Sequence, residues 1–465
     1  MVNTSNKTNY FIPLIISVVL AMVYYIFGMK FFLAGLVLAM GGFLSLINIK
    51  IAIYAITFSF VFLPNTLGLL SFIGLGLIYF LRRVFIEKEK IKPNIYAGII
   101  GVYLLVIIIQ TVTSMDPSGS IRDLGIHIAA LMYLFTVFNT INTKEELNQY
   151  LTVLLASVTF VALIGILQAF TGVEIRPEWL DVENNPDVVV RVFSVFGNPN
   201  TLAEYLVIFT PLAVGLFWNT KNLKKKIVFG ISVLIMLSCL ILTMSRGGWI
   251  GIAMAALVFC LLVDKRLLLL SIPLIFAALI VLPDTIINRL MSIGNLTDSS
   301  NAHRFNIWSV TGELIGDYPV AGVGFGHLPF KEVYETYSRS VNAFHAHNSF
   351  IQTVAEIGFA GFLVFITMLI TFIKYPVNAL VNQVRYIKED KYLKYVGVGV
   401  AAGLIGVFTH GLVENVLYLP KIIFSFWIIA GIGAMGINIL NKETPRVEEY
   451  KNQVYKIYRR SELDV

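Results

Sequence analysis

Apolar runs of membrane length, separated by short polar stretches, set the rhythm of this chain. They fall near 10–28, 31–48, 51–63, 66–81, 95–112, 122–138, 149–170, 200–218, 226–244, 247–263, 267–282, 348–374, 394–414 and 420–440. A hydrocarbon core of about 30 Å takes about 20 helical residues, and in lipid a helix satisfies its own backbone. The runs at 51–63 and 66–81 are short, either one broken helix or a re-entrant pair. The pattern therefore predicts an all-α polytopic integral membrane protein with 12–14 transmembrane helices. One polar interval, 283–347, is too long for a plain connector and is expected to carry helices of its own. The expected organisation is a transmembrane bundle over 1–282, a loop subdomain over 283–347, C-terminal membrane helices over 348–440 and a cytoplasmic tail over 441–465.

Lysine and arginine orient the spans. Arg82, Arg83, Lys88, Lys90 and Lys92 mark one cytoplasmic loop. Lys221–Lys226, Lys265–Arg266, Arg385–Lys394 and the basic tail mark others, and the crossing parity between them agrees. The intervals 113–121, 171–199, the turn at Ser245-Arg246 and 283–347 then face outward. The second carries Glu174, Glu178, Asp181, Glu183 and Asp187, and ends in a turn where Asn200 or Thr201 can cap the next helix. In the long loop a helix should start near Asp298, with Arg304, Trp308 and Thr311 or Glu313 along one side. The run Gly322-Val-Gly-Phe-Gly-His327 reads as a turn that lets backbone approach something closely. No strand precedes it, so it is no dinucleotide fingerprint.

Composition agrees with this picture. Of 465 residues, 57% are hydrophobic and 14% charged, with a mean hydropathy of +0.79; soluble domains carry about 25% charged residues. The net charge of +7 reflects basic cytoplasmic loops, and no basic aromatic groove suggests nucleic acid. Cys239 and Cys260 lie in apolar runs and read as core residues.

Candidate chemistry gathers on the outward side. Arg246 breaks the positive-inside trend, either snorkelling to headgroups or clamping an anion. The clamp is favoured, with Gly247 and Gly248 adding amides at a helix start. Arg304 and Arg191 are further outward cations suited to phosphate. His347 stands at the mouth of a membrane helix, with His345 two residues before it. Two histidines with no cysteine or carboxylate nearby in the sequence make a poor zinc set, so no metal and no cofactor is expected. Glu204, Glu356 and Glu414 could each pair with an arginine or a histidine, and Glu356 and His410 are candidates for a proton path. Walker, GxSxG and HExxH motifs are absent. Transfer chemistry on an outward face needs a donor already activated in the membrane, and a polyprenyl-diphosphate sugar fits. Arginines can stabilise the leaving diphosphate and a histidine can take the acceptor proton.

Four segments in order, Arg191-Val-Phe-Ser-Val-Phe-Gly-Asn-Pro-Asn200, Thr243-Met-Ser-Arg-Gly-Gly-Trp249, Arg304-Phe-Asn-Ile-Trp308 with Pro319 to Gly326, and His347-Asn-Ser-Phe-Ile-Gln352 with Glu356-Ile-Gly358, resemble the O-antigen ligase and polymerase superfamily. The resemblance is strongest over about 190 to 360. It implies a metal-independent, lipid-donor glycosyltransferase with a long extracytoplasmic loop folded over a cavity open to lipid. By it, Arg246 and Arg304 grip the diphosphate, and His347 is the general base of an inverting transfer. Asn198 and Asn200 shape the cavity, and Glu356 orients structure. His345 is not demanded by the pattern, which leaves two histidines as candidates for the base.

The expected partners are a polyprenyl-diphosphate-linked glycan, a hydroxyl acceptor on a glycan, lipid or protein, and the bilayer, with a flippase and a chain-length regulator beside them. The expected location is the bacterial cytoplasmic membrane, multi-pass, with chemistry on the extracytoplasmic face. The Ile-, Lys- and Asn-rich composition points to an AT-rich genome and tilts the reading towards polymerising a surface polysaccharide. Ligase and protein O-oligosaccharyltransferase activity remain alternatives. A lipid-linked sugar transporter is the competing class; it should place its cations at the midplane and show two related halves.

Overall fold

A computed structural model describes residues 45–90, 92–173, 190–294, 299–382 and 391–461, with a few isolated positions before 45. Most of the expected spans at 10–28 and 31–48, the acids between 174 and 187, and Asp298 lie outside the described residues. The described residues form fifteen α-helices and no strand. In chain order these are α1 (Ile49–Ser59), α2 (Asn65–Leu81), α3 (Ala97–Val112), α4 (Pro117–Thr140), α5 (Lys144–Thr171), α6 (Pro199–Asn219), α7 (Leu223–Leu242) and α8 (Arg246–Val263). There follow α9 (Leu267–Val281), α10 (Asp284–Met291), α11 (Ser299–Asp317), α12 (His327–Tyr334), α13 (Ser349–Pro376), α14 (Tyr392–His410) and α15 (Pro420–Ser461). Among the described residues, nine helices are long and apolar enough to cross a membrane. The chain is an all-α, multi-pass membrane protein.

Helix starts follow local chemistry. Thr143 and Glu146 form a reciprocal capping box at α5. Ser245 caps α8 through the Gly248 amide, and Asn348 caps α13 through the amides of Phe350 and Ile351. At α6 the cap is Asn198, two residues earlier than expected, with Pro199 in the first turn. Capping by Asn198 leaves the Asn200 side chain available to the cavity.

The bundle centre is α14, packed against α6 and α8. The approach is close because small residues face one another: a Cβ on Gly251 would lie 2.7 Å from the Gly406 carbonyl, and one on Gly403 2.3 Å from that of Ile208. The same close packing holds at Gly247 and Gly248. A Cβ on Gly247 would meet the His410 ring at 2.4 Å, and one on Gly248 would meet Ala203 at 2.6 Å. These glycines seat α8 against its neighbours, and the Gly248 amide is already taken by Ser245.

The long loop is a helical subdomain, with α10, α11 and α12 inside it. Ile307, Leu314, Phe330, Tyr334 and Ala346 give it a small core of its own, reaching Ala355 of α13. On α11, Arg304 and Trp308 point at the chain segments around Val413 and Ala346, while Thr311 is buried and Glu313 exposed. The glycine run after α11 does approach backbone closely. Val323 and Gly324 amides donate to the carbonyls of Ala355 and Glu356 at 2.9 and 3.1 Å, where α13 is unwound at Gly358 (φ 66°).

Candidate functional site

Helix ends, not helix middles, build the main cavity. It occupies about 860 Å³ where α6, α8, α13 and α15 begin and α14 ends. Four arginines line it: Arg191, Arg246, Arg289 and Arg304. The same wall holds Asn198, Asn200, His345, His347, His410 and Glu414. Every residue expected from the sequence to touch substrate is therefore gathered here. Glu356 is not; it lines a separate small pocket with Asp123, His127 and His327.

Each guanidinium is anchored by backbone. Arg191 Nε donates to the Thr243 carbonyl at 3.0 Å, and its Nη2 donates to Asn200 Oδ1 at 3.1 Å. Arg246 Nη1 donates to the Ser292 carbonyl at 3.0 Å. Arg289, nearly fully buried, donates from Nε to the Met244 carbonyl at 3.3 Å. Arg304 Nε donates to the Val413 carbonyl at 2.8 Å. Burial lowers the pKa of Arg191 to about 9, helped by the guanidinium groups of Arg289, Arg246 and Arg304. It stays charged at neutral pH. Four guanidinium groups on one wall make a cavity whose chemistry suits a phosphate-bearing anion.

Opposite the arginines stands a histidine–carboxylate pair. His347 Nδ1 lies 2.8 Å from Glu414 Oε1. Burial pushes the Glu414 carboxyl up, but His347, His345 and Arg304 outweigh it and hold it well below the usual carboxylate range. An ionised carboxylate only accepts, so His347 Nδ1 is the donor of this bond and Nε2 is the ring nitrogen left to face a substrate. Asn200 Nδ2 donates to the other oxygen, Glu414 Oε2, at 3.1 Å. One chain of bonds thus runs from Arg191 through Asn200 and Glu414 to His347. His347 holds a left-handed backbone, φ 47°, which turns its ring towards Glu414.

His345 plays a different part. Its Nδ1 accepts the His347 backbone N–H at 3.2 Å, and its ring packs on Tyr418 with centroids 4.4 Å apart. Burial, with His347 adding, lowers its pKa to about 3. It is a neutral, buried prop under the His347 backbone.

The sequence reading found no carboxylate near the two histidines; the fold supplies one from 67 residues away. His345, His347 and Glu414 now offer ligand atoms within 4.8 Å of one another, a set able to hold a metal ion. Hydrogen bonds already use His345 Nδ1 and His347 Nδ1, and the adjoining arginines repel a dication.

Glu356 is bonded within the scaffold. Its Oε2 accepts the Gly326 amide at 3.1 Å and its Oε1 accepts from Gln352 at 2.7 Å. Gln352 Oε1 in turn accepts the Ala346 amide. The carboxylate so ties the glycine turn to the strap carrying His347. His410 lines the arginine cavity, so the two members of the suggested proton path sit in different pockets. Sequence reasoning missed Arg289 and left Glu414 without a role. Arg289 carried the same signal as Arg246, a cation in a loop that the charge pattern assigns to the side away from the basic loops.

These features define a multi-pass helical membrane protein with an anion-binding cavity at one bundle end and a histidine–glutamate pair inside it. Residues 231–366 match the family model described as O-antigen ligase. A search of curated proteins finds no match. The matched stretch holds Arg246, Arg289, Arg304, His345 and His347; Arg191, Asn200 and Glu414 come from outside it. The match supports a membrane glycosyltransferase-like ligase or polymerase role.

Proposed function

We propose that this chain transfers a glycan from a polyprenyl-diphosphate carrier to a hydroxyl acceptor, and that it polymerises surface polysaccharide repeat units at the outer face of the bacterial cytoplasmic membrane. One observation carries the reading: four arginines and the His347–Glu414 pair share a single cavity at the membrane-helix ends. Cations at helix ends rather than at the midplane favour a transferase over a transporter.

In the proposed reaction, His347 Nε2 takes the proton of the acceptor hydroxyl. The acceptor oxygen bonds to the anomeric carbon from the face opposite the diphosphate, so the centre inverts. The bond from that carbon to the phosphate oxygen breaks, and its electron pair leaves with the diphosphate. Arg191, Arg246, Arg289 and Arg304 stabilise the growing negative charge, a term worth several kcal/mol in enzymes that use such donors (about 2.7–4 kcal/mol for one donor). Glu414 is a positioning residue that fixes the His347 tautomer and stabilises the imidazolium. The step needs no metal.

The test is purified protein incubated with a lipid-diphosphate repeat unit, alone and with candidate acceptors, followed by sizing of the products. A ladder from the donor alone is expected. Product only with an added lipid or protein acceptor would assign ligase or O-oligosaccharyltransferase activity, and no transfer from this donor class would end the proposal.

A further inference from the structure

At the bundle end remote from the arginine cavity the chain builds a second polar pocket, of about 570 Å³. Helix α15 links the two: Leu419, just before it, lines the first cavity, and Lys442 lines the second. The run from Pro420 to Lys442 rises about 33 Å, close to the thickness of a hydrocarbon core. The second pocket therefore opens at the opposite membrane face.

Five cations line it, Lys50, Arg82, Arg83, Lys92 and Lys442; Arg82 and Arg83 pair with Glu87 at 2.7 and 2.9 Å, Arg83 also with Glu89 at 2.5 Å, and Lys50 with Glu146. Several are held in place from elsewhere in the fold. Arg82 Nη1 donates to the Leu46 carbonyl at 2.9 Å. The Lys92 backbone is bound to Asn139 at the end of α4, its amide donating to Oδ1 at 3.1 Å and its carbonyl accepting from Nδ2 at 3.3 Å. Lys442 Nζ donates to Asn142. The arginines sit on a π-helical turn, Arg82–Glu87, which widens the end of α2 and ends on Lys88 in a left-handed conformation.

Two lining residues carry an unanswered donor. Tyr79 Oη and Arg83 Nε are buried and have no hydrogen-bond partner among the described residues. A buried donor without an acceptor costs about 1–3 kcal/mol, and here two occur on one wall of an electropositive pocket. Basic loops alone account for positive charge at a cytoplasmic face. They do not account for buried donors left waiting for an acceptor.

We propose that this pocket binds a phosphate-bearing anion, and its place at the helix ends points first to the headgroup of an anionic phospholipid. Phosphate oxygens accept from Arg83 Nε and Tyr79 Oη while Lys92 and Lys442 supply charge. Ile47, Ile49 and Phe138 give the same pocket an apolar flank at headgroup depth.

The experiment uses full-length protein in phosphatidylcholine nanodiscs. The melting temperature is read with phosphatidylglycerol added to the disc, and separately with soluble inorganic pyrophosphate. Phosphatidylglycerol should raise it by about 3 °C or more, and a Lys92→Ala/Lys442→Ala variant should lose most of that rise. Lys92→Gln, at an exposed position, gives the same reading should the double variant fold poorly. A rise with pyrophosphate that the Lys92→Ala/Lys442→Ala variant loses assigns the pocket to a soluble phosphate instead of a lipid, whereas a pyrophosphate rise that the variant keeps comes from the arginine cavity and overturns binding here. No rise in either arm, or an unchanged rise in the variants, overturns the proposal. His347→Ala leaves this pocket intact and should keep the full response, so the outcome is independent of the glycosyltransferase reading.

Discussion

His347 holds a backbone conformation that costs an L-residue about 1–2 kcal/mol, and the return is a ring aimed at Glu414. His347→Ala should lower transfer by about 10²-fold or more, the usual worth of a general base, with protein level and donor supply unchanged; sized glycan products report it. Glu414→Gln should reduce kcat with little change in KM for the donor, and Glu414→Asp should recover part of the loss. Loss of a purely structural carboxylate would lower the melting temperature while leaving kcat of the folded protein unchanged. His345 sets an acid limit. Its pKa falls from 6.5 unfolded to about 3 folded, so below pH 6.5 the unfolded chain binds a proton that the folded chain refuses. Stability is then fully present above pH 6.5 and lost as pH falls towards 3. The depressed Glu414 carboxyl acts in the same sense below its ordinary value. Melting temperature should drop from pH 7 to pH 5, and His345→Gln should flatten that slope. Among these residues, the cavity's arginines were legible in the sequence because each violates the charge pattern around it. Glu414 was visible only as a carboxylate near a membrane helix. Its bond to His347 is made by the fold, between two loops that sequence spacing does not connect.

At the scale of elements, the most constrained point is the break in α13. Gly358 has φ 66°, and a Cβ there would lie 2.0 Å from the Val320 carbonyl. The break frees carbonyls that receive the amides of Val323 and Gly324, docking the loop subdomain on the bundle. Gly358→Ala should destabilise by at least about 2 kcal/mol, strain and clash together, and should loosen the loop first; hydrogen exchange of residues 318–326 reads this against the rest of the protein. Hydrophobic runs gave the helix positions well, since lipid imposes a single period and length. They did worse at ends. The span expected over 394–414 stops at His410, which takes Glu414 out of the helix and puts it in the loop where it meets His347. Capping chemistry decides such ends, and Asn198 outbid Asn200 because Pro199 fits the first helical turn.

For the whole molecule, the two polar pockets lie at opposite ends of the bundle, with apolar packing between them. Chemistry at one face should therefore run without help from a soluble factor at the other. Transfer by the purified protein should survive treatment with a chelator, measured on the same product ladder; loss of activity, restored by a divalent ion, would assign His345, His347 and Glu414 to a metal instead. The membrane class was legible at this scale from the apolar runs, and charge parity grouped the arginines and histidines on one side of the bundle. The second pocket was not, because its cations look like ordinary basic loops until the helices bring them together.

Glu414 lies on the short link between α14 and α15, after every arginine and histidine of the cavity in chain order. During synthesis the four arginines are thus translated before Val413, whose carbonyl anchors Arg304, and before Glu414, which holds His347. Neither the arginine wall nor the imidazole is in its final place until α14 and the link behind it have been threaded into the bundle.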